Sequence, residues 1–432
     1  MTPRRLVVSL LGSAEFARAY TLTALTAVFA SFLIEQLTSA TTLATILGVI
    51  AVIGVGMLVT RREELSLLRF APTSLLGFLA LAISSVLWSS NRPHTVLGWL
   101  TLLGCATIAI TIGHVRDTLQ TVRAIGDTLR WLLALSLGME IMSGILLDMP
   151  FAAFGIEGNL ALGGPIQGIF GTRNMLGFIA VVALITFVIE WRTQSVHRVV
   201  GVLSVALGGF LALLSDSPSV VVLAAGVGVA TLALTIVRHT APARRATVQW
   251  VLGALVAAGL VFAFARRHQI IRLLDAGSDF STRADLWNTI LDFVADKPIT
   301  GYGWFGTWTG SEYPFPYINF QLSDHHQSAL NAYFDVLLQL GAVGLALFLI
   351  FGGVAIVRSW LVASVRRSVV YAWTPLLLVT LAVESMFESF TLVGAGWLLL
   401  VLCALRAGQS RSWRQNIDDA QTGTIPTLGP EK

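Results

Sequence analysis

The stretch SDHHQSALNAYFDVLLQLGAVGL, residues 323–345, sets Asp324, His325 and His326 at the edge of a long apolar run. An imidazole with an ordinary pKa near about 6.5 is suited to taking a proton from a hydroxyl, and a neighbouring carboxylate can orient it. His326 or His325 is therefore the expected base, with Asp324 its orienting partner; the same residues would also serve as a polar cap where a helix meets a membrane. Side chains at consecutive positions do not converge on one centre, so neither a metal site nor any cofactor is expected. Two arginines are placed to hold an anion. Arg283 lies in STRADLWNTILDFVADKPITGYGWFG (281–306), and Arg173 precedes Asn174 in the glycine-rich GPIQGIFGTRNMLGF (164–178). A guanidinium donates paired hydrogen bonds to phosphate, and glycine-rich backbone opening a helix can cradle an anion. Together the two stretches could grip a pyrophosphate from two sides; separately, Arg283 could touch lipid phosphate and Arg173 could snorkel.

Tyr302 and Trp304 alternate with glycines in GYGWFGTWTG (301–310). Such a turn offers rings for stacking on a sugar, or forms part of an aromatic belt at a membrane interface. Glu140, Glu384 and Glu388 fall within apolar runs, where an ionisable group marks function or answers a nearby arginine.

The elements that carry these residues follow from composition. Of 432 residues, 55% are hydrophobic and 12% charged, about half the charged share of an ordinary soluble domain. Apolar runs of the roughly 20 residues needed to cross a bilayer recur along the chain, without the strict alternation of a porin strand. The expected fold is all-α: a polytopic integral membrane protein with spans near 17–35, 40–59, 70–88, 94–113, 130–148, 174–190, 198–214, 219–237, 247–265, 328–355, 370–388 and 390–406. Arginines gather between alternate spans: Arg4, Arg5, Arg61, Arg62, Arg69, Arg116, Arg123, Arg130, Arg192, Arg198, Arg238, Arg244, Arg245, Arg358, Arg366, Arg367, Arg406, Arg411 and Arg414. The positive-inside bias then makes both termini cytoplasmic. Residues 1–406 read as one transmembrane domain, and 407–432 as a disordered cytoplasmic tail.

The opposite face carries one large external segment, 266–327. Within it Ser281 and Thr282 look like helix N-caps, and Thr282 with Asp285 imitates a capping box. Leu286, Ile290, Phe293 and Val294 repeat at helical spacing, which predicts an amphipathic helix lying along the outer interface and ended by Pro298. The net charge of +4 is mostly topogenic arginine, so no nucleic-acid partner is implied. Cys105 and Cys403 lie inside spans and suggest no disulfide.

The order of these parts, GIFGTRNMLGF opening a span, LLSDSPSVVVLAAGVGV turning into another, then the Arg-x-x-x-Trp helix with its Gly-aromatic turn, then LNAYFDVLLQLGAVGL, resembles the bacterial O-antigen ligase and exopolysaccharide polymerase family over roughly residues 165–400. The resemblance implies a glycosyltransferase of the bacterial cytoplasmic (inner) membrane, active on its outer face. It would move a glycan from a polyprenyl-diphosphate carrier to an acceptor sugar without metal. By the same resemblance Arg173 and Arg283 hold the lipid diphosphate and a loop histidine activates the acceptor; alongside them Asn174 is expected at the diphosphate, and Tyr302, Trp304, Asn331 and Glu388 are the expected sugar-side contacts. Two positions depart from the family pattern. Leu330–Asn331 stands where a His-Asn pair is common, and Pro218 where an arginine follows the Ser-x-Ser turn. His326 precedes Leu330 by four residues and would share its helix face if that helix begins early. A transporter or flippase of lipid-linked oligosaccharide is the rival reading; it predicts internal repeats and polar groups at mid-membrane, whereas the polar residues here collect at the outer rim.

Overall fold

A computed structural model describes residues 9–63, 70–266, 269 and 277–409. Arg4, Arg5, Arg69, Arg411, Arg414 and the tail from residue 410 onward lie outside the described residues. The chain is helical throughout, with one isolated β-bridge, Phe151 to Ile156, among the described residues.

The first helices are α1 (Ala14–Phe29) and α2 (Ser31–Leu37), bent by 72° where they join, then α3 (Ala40–Thr60), α4 (Thr73–Ser84), α5 (Arg92–Val115) and α6 (Thr118–Ile141). After a loop come α7 (Arg173–Arg192), α8 (Arg198–Leu214), α9 (Pro218–His239) and α10 (Pro242–Ala265). The segment expected to be external holds α11 (Gly277–Asp296) and α12 (Phe315–Leu322), and α13 (Ala332–Val365), α14 (Val370–Glu384) and α15 (Gly394–Gln409) follow.

Six of these helices, or seven if the bent α1–α2 pair is one span, are long and apolar enough to cross a membrane by themselves; four further apolar helices are shorter. Large hydrophobic side chains that point outward, such as Trp131, Leu213 and Trp250, are what a multi-pass bundle offers to lipid rather than water. Inside, Phe78, Phe178, Phe187, Trp373 and Trp397 are buried in one continuous core.

Several boundaries differ from the sequence reading, three of them at residues the site argument uses. Asp117 and Gln120 form a capping box, so α6 starts at Thr118 rather than near residue 130, and Arg123 and Arg130 lie within the helix. There Arg130 pairs with the buried Glu190 and, at 2.6 Å, with Asp127. Helix α11 begins at Gly277, which puts Ser281 and Thr282 inside it and moves Arg283 away from the first turn. Helix α15 runs to Gln409, past the expected start of the tail.

Helix direction sorts the charges. Helices α7, α9 and α13 start at Arg173, Pro218 and Ala332 and finish beside Arg192, Arg238 and Arg366. Contacts tie the arginine-bearing ends together: Arg238 donates to the Ala363 carbonyl at 2.8 Å and Arg406 to Thr121 Oγ1 at 2.9 Å. The other end of the bundle carries Asn174, in the first turn of α7, and the loops that hold Ser217, Asn331 and Glu388.

Residues 277–331 build a cap on that end, with a small core of their own. Leu286, Ile290 and Val294 from α11 meet Tyr302, Phe305, Trp308, Phe315 and Leu338. The apolar face of α11 is thus covered by protein and does not lie open along the interface, because the Gly-aromatic turn and α12 supply enough ring surface to bury it.

The cap is joined to the bundle at a break in α13. Gly341 has φ +65° inside the helix, which interrupts the regular hydrogen bonding there. The preceding turn answers it: Tyr302 N donates to Leu338 O at 3.2 Å, Gly303 N to Gln339 O at 2.8 Å, and Ala342 N to Pro298 O at 2.8 Å. A Cβ on Gly341 would stand 2.2 Å from the Ile299 carbonyl oxygen, so the left-handed backbone and the close approach both require glycine. The Leu-Gly-x-x-Gly-Leu and Gly-aromatic motifs are two halves of this joint.

Candidate active site

Helix α13 is capped by Asn331, whose side-chain oxygen accepts from Tyr333 N at 3.0 Å and Phe334 N at 3.2 Å. Its amide group donates to Met386 O at 3.0 Å, and Ala332 N donates to Ser385 O at 2.9 Å. Asn331 is therefore an N-cap that also pins the loop between α14 and α15. That loop presents Glu388.

Arg283 reaches the same corner from the cap. Its Nη1 donates to the carbonyls of Leu330, at 3.3 Å, and Phe387, and its Nη2 lies 3.0 Å from Glu388 Oε1. One helical turn on, Trp287 Nε1 donates to Ala329 O at 2.9 Å and its ring stacks on Phe334 at 5.4 Å. The Arg-x-x-x-Trp spacing puts both side chains on one face of α11, and both grip the 329–334 corner. Leu330 itself adopts φ 48°, a left-handed conformation unusual for a branched side chain, which presents its carbonyl to the guanidinium.

A third element arrives with α7. Thr172 caps the helix by accepting from Met175 N at 3.1 Å. Asn174 then donates to Glu388 Oε1 at 2.6 Å and accepts from Ser217 Oγ at 2.7 Å, which lies 2.9 Å from Ser219 Oγ. Arg173 Nη1 lies 3.4 Å from the Asp216 carbonyl. The glycine-rich approach is fixed from below by Glu140, whose Oε1 accepts from Gln167 N at 3.2 Å and Gly168 N at 2.8 Å. A continuous chain of contacts therefore runs from Ser219 and Ser217 through Asn174 and Glu388 to Arg283. Asn174, Arg283 and Glu388, each named separately from the sequence, meet here; Ser219 and the carbonyls of Leu330 and Phe387 carried no separate signal.

The histidines sit beside this chain. Asn319 brackets the His326 backbone, accepting from its N–H at 3.1 Å and donating to its carbonyl at 3.0 Å. Nε2 of His326 lies 3.4 Å from Asp324 Oδ2, without the alignment of a hydrogen bond. Burial, with the nearby Arg283 charge adding to it, lowers the pKa of His326 below its ordinary value, against the pull of Asp324. The imidazole is thus neutral at pH 7. Because α13 starts at Ala332, His326 precedes the helix and does not share a helical face with Leu330. His325 is exposed, and its N–H is held by Asp324 Oδ1 at 2.7 Å.

Tyr302 and Trp304 have structural surroundings. The Trp304 ring is fully buried and edge-on to Phe78, beside a cavity of about 70 Å³, well below the roughly 300 Å³ of a small-molecule site. Tyr302 donates to Phe293 O at 2.9 Å, carries Lys297 4.8 Å above its ring, and burial raises its phenol pKa. Neither ring presents an open stacking face for a sugar; they line the joint at Gly341. Among the described residues no group of three or more His, Cys, Asp or Glu side chains could hold a metal ion.

Residues 203–349, which take in the Ser-x-Ser turn, the cap and the first half of α13, match the family model of the O-antigen ligases. The resemblance read from the motifs is thereby shown for that segment. No curated protein matches the chain.

Proposed function

We propose that this chain transfers a glycan from a polyprenyl-diphosphate carrier to an acceptor sugar at the outer face of the bacterial cytoplasmic membrane. The carrying observation is the convergence of Arg283 and Asn174, from segments over a hundred residues apart, on one anionic group, the carboxylate of Glu388. A guanidinium and a carboxamide preorganised around a carboxylate oxygen are equally fit to bind a phosphate oxygen, and Arg173 adjoins them. Charge that develops on the departing diphosphate would be held by donors already in place. The acceptor hydroxyl needs a base, and the titratable groups near Arg283 are His326, Glu384 and Glu388.

The break in α13 supports a transferase over a carrier. The polar groups near it, Asp335 and Gln339, are used up holding the cap: Asp335 accepts from Trp308 Nε1 and Gln339 Nε2, both at 2.8 Å, and Gln339 accepts from Phe305 N at 2.7 Å. They line no open path.

The test is complementation of a deletion strain with wild type or Arg283→Ala, reading surface or secreted polysaccharide and the leaflet on which polyprenyl-linked units accumulate. Restoration by wild type alone, with precursor accumulating on the outer leaflet in the variant, is the expected result. Precursor retained on the inner leaflet would make the chain a flippase, and unchanged glycan would remove the reading altogether.

A further inference from the structure

The loop between α14 and α15 buries Glu388, whose side chain is 6% exposed. Both of its hydrogen bonds converge on one oxygen: Asn174 Nδ2 at 2.6 Å and Arg283 Nη2 at 3.0 Å both reach Oε1. Oε2 has no hydrogen bond among the described residues. Burial raises the pKa of this carboxyl, while the charge-assisted bonds from Arg283 and Asn174 pull against that rise, so the carboxylate is a weaker proton acceptor with those bonds than without them.

Resting on the diphosphate reading above, a consequence follows for the order of events. The two donors that hold Glu388 are the two that would hold the donor substrate. A diphosphate and a carboxylate cannot share one guanidinium edge without strong repulsion in a site shielded from water. As the diphosphate takes Arg283 and Asn174, Glu388 loses its counter-charge and both hydrogen bonds. We propose that Glu388 is the general base of the transfer reaction, restrained by Arg283 and Asn174 until the lipid diphosphate arrives and released by its binding. The acceptor hydroxyl gives its proton to the Glu388 carboxylate while its oxygen forms a bond to the anomeric carbon. The bond from that carbon to the diphosphate oxygen breaks, and its electron pair stays on the diphosphate, held by Arg283. When the polyprenyl diphosphate leaves, Glu388 gives its proton to water and returns to Arg283. His326 is then not required for proton transfer, in keeping with its place ahead of α13.

Glu388→Gln separates the two roles, because the amide oxygen can still accept from Asn174 and Arg283 but the group can no longer take a proton. Purified wild type, Glu388→Gln, His326→Gln and Arg283→Ala are compared for binding of polyprenyl diphosphate and for single-turnover transfer from lipid-linked repeat units across pH. Glu388→Gln is expected to bind polyprenyl diphosphate at least as tightly as wild type, since the competing charge is gone. Its transfer rate is expected to fall by roughly a hundredfold or more, the usual weight of a general base. A loss of that size in His326→Gln, with Glu388→Gln near the wild-type rate, would give the base role to the histidine and overturn the proposal. Transfer by Glu388→Gln near the wild-type rate overturns the proposal, and so does loss of donor binding in step with rate, as expected of Arg283→Ala, which would make Glu388 a positioning residue. Wild type that neither binds polyprenyl diphosphate nor transfers overturns the parent reading and this one together.

Discussion

The guanidinium of Arg283 and the carboxylate of Glu388, 105 residues apart in the chain, meet at 3.0 Å, and the same guanidinium holds two backbone carbonyls. Three acceptors in different directions call for a planar fork rather than a point charge. Arg283→Lys is therefore expected to lose transfer by roughly a hundredfold, comparable with removing one transition-state donor. Size-exclusion and thermal melting in detergent should match wild type. A lysine variant with full activity would show that charge alone suffices and that the fork has no part in the site.

Trp287 fastens α11 through a hydrogen bond to the Ala329 carbonyl and a ring stacked on Phe334. Trp287→Phe keeps a ring and should cost about 1 kcal/mol, the net worth of one hydrogen bond. Trp287→Ala should cost about 3 kcal/mol or more and lower activity by loosening Arg283. Unfolding in detergent, followed by tryptophan emission or by proteolysis within 277–331, orders the two variants; equal stability would show that the stack contributes nothing.

Gly341 sits where φ is +65° and where a Cβ would meet the Ile299 carbonyl at 2.2 Å. Gly341→Ala is expected to destabilise by roughly 1–3 kcal/mol from backbone conformation, with the steric clash added. Limited proteolysis should then cut within 298–306 before it cuts elsewhere. Protection of that segment in the variant would mean that the break in α13 tolerates a side chain.

Burial and the Arg283 charge lower the pKa of His326, so the sign of its pH effect is fixed. Above pH about 6.5 the imidazole is neutral both folded and unfolded, and contributes no pH dependence. Below that value the unfolded chain binds a proton the folded chain resists, and stability falls until the pH reaches the lower folded value. The melting temperature of wild type should drop on acidification from pH 7 to 5 by more than that of His326→Gln. Parallel curves for the two proteins would place the histidine in water.

Much of this was legible because the residue types leave few options. A guanidinium one turn before a tryptophan, in an otherwise amphipathic helix, stood out in the sequence, and Arg283 is where the contacts converge. Asn174 and Glu388 could each be named but not joined, since 214 residues separate them and nothing local encodes the meeting. Tyr302 and Trp304 mislead for a physical reason: glycines between rings fit a stacking platform and a backbone clamp equally well, and only the break at Gly341 decides. Asn331 carried an overlooked signal, because asparagine ahead of a long apolar run is a helix N-cap before it is a ligand. The acceptors from Leu330 and Phe387 are main-chain carbonyls, which no side-chain pattern can announce.

The joint at Gly341 also dictates an order of biogenesis. Backbone groups of Leu338, Gln339 and Ala342 find their partners in residues 298–303, which leave the ribosome first. Until that segment has docked, α13 would carry unanswered peptide groups in hydrocarbon, at a cost of several kcal/mol apiece. In the proposed topology the cap has to cross the bilayer before the helix behind it can settle, so membrane integration and assembly of the Arg283–Glu388 corner become a single event.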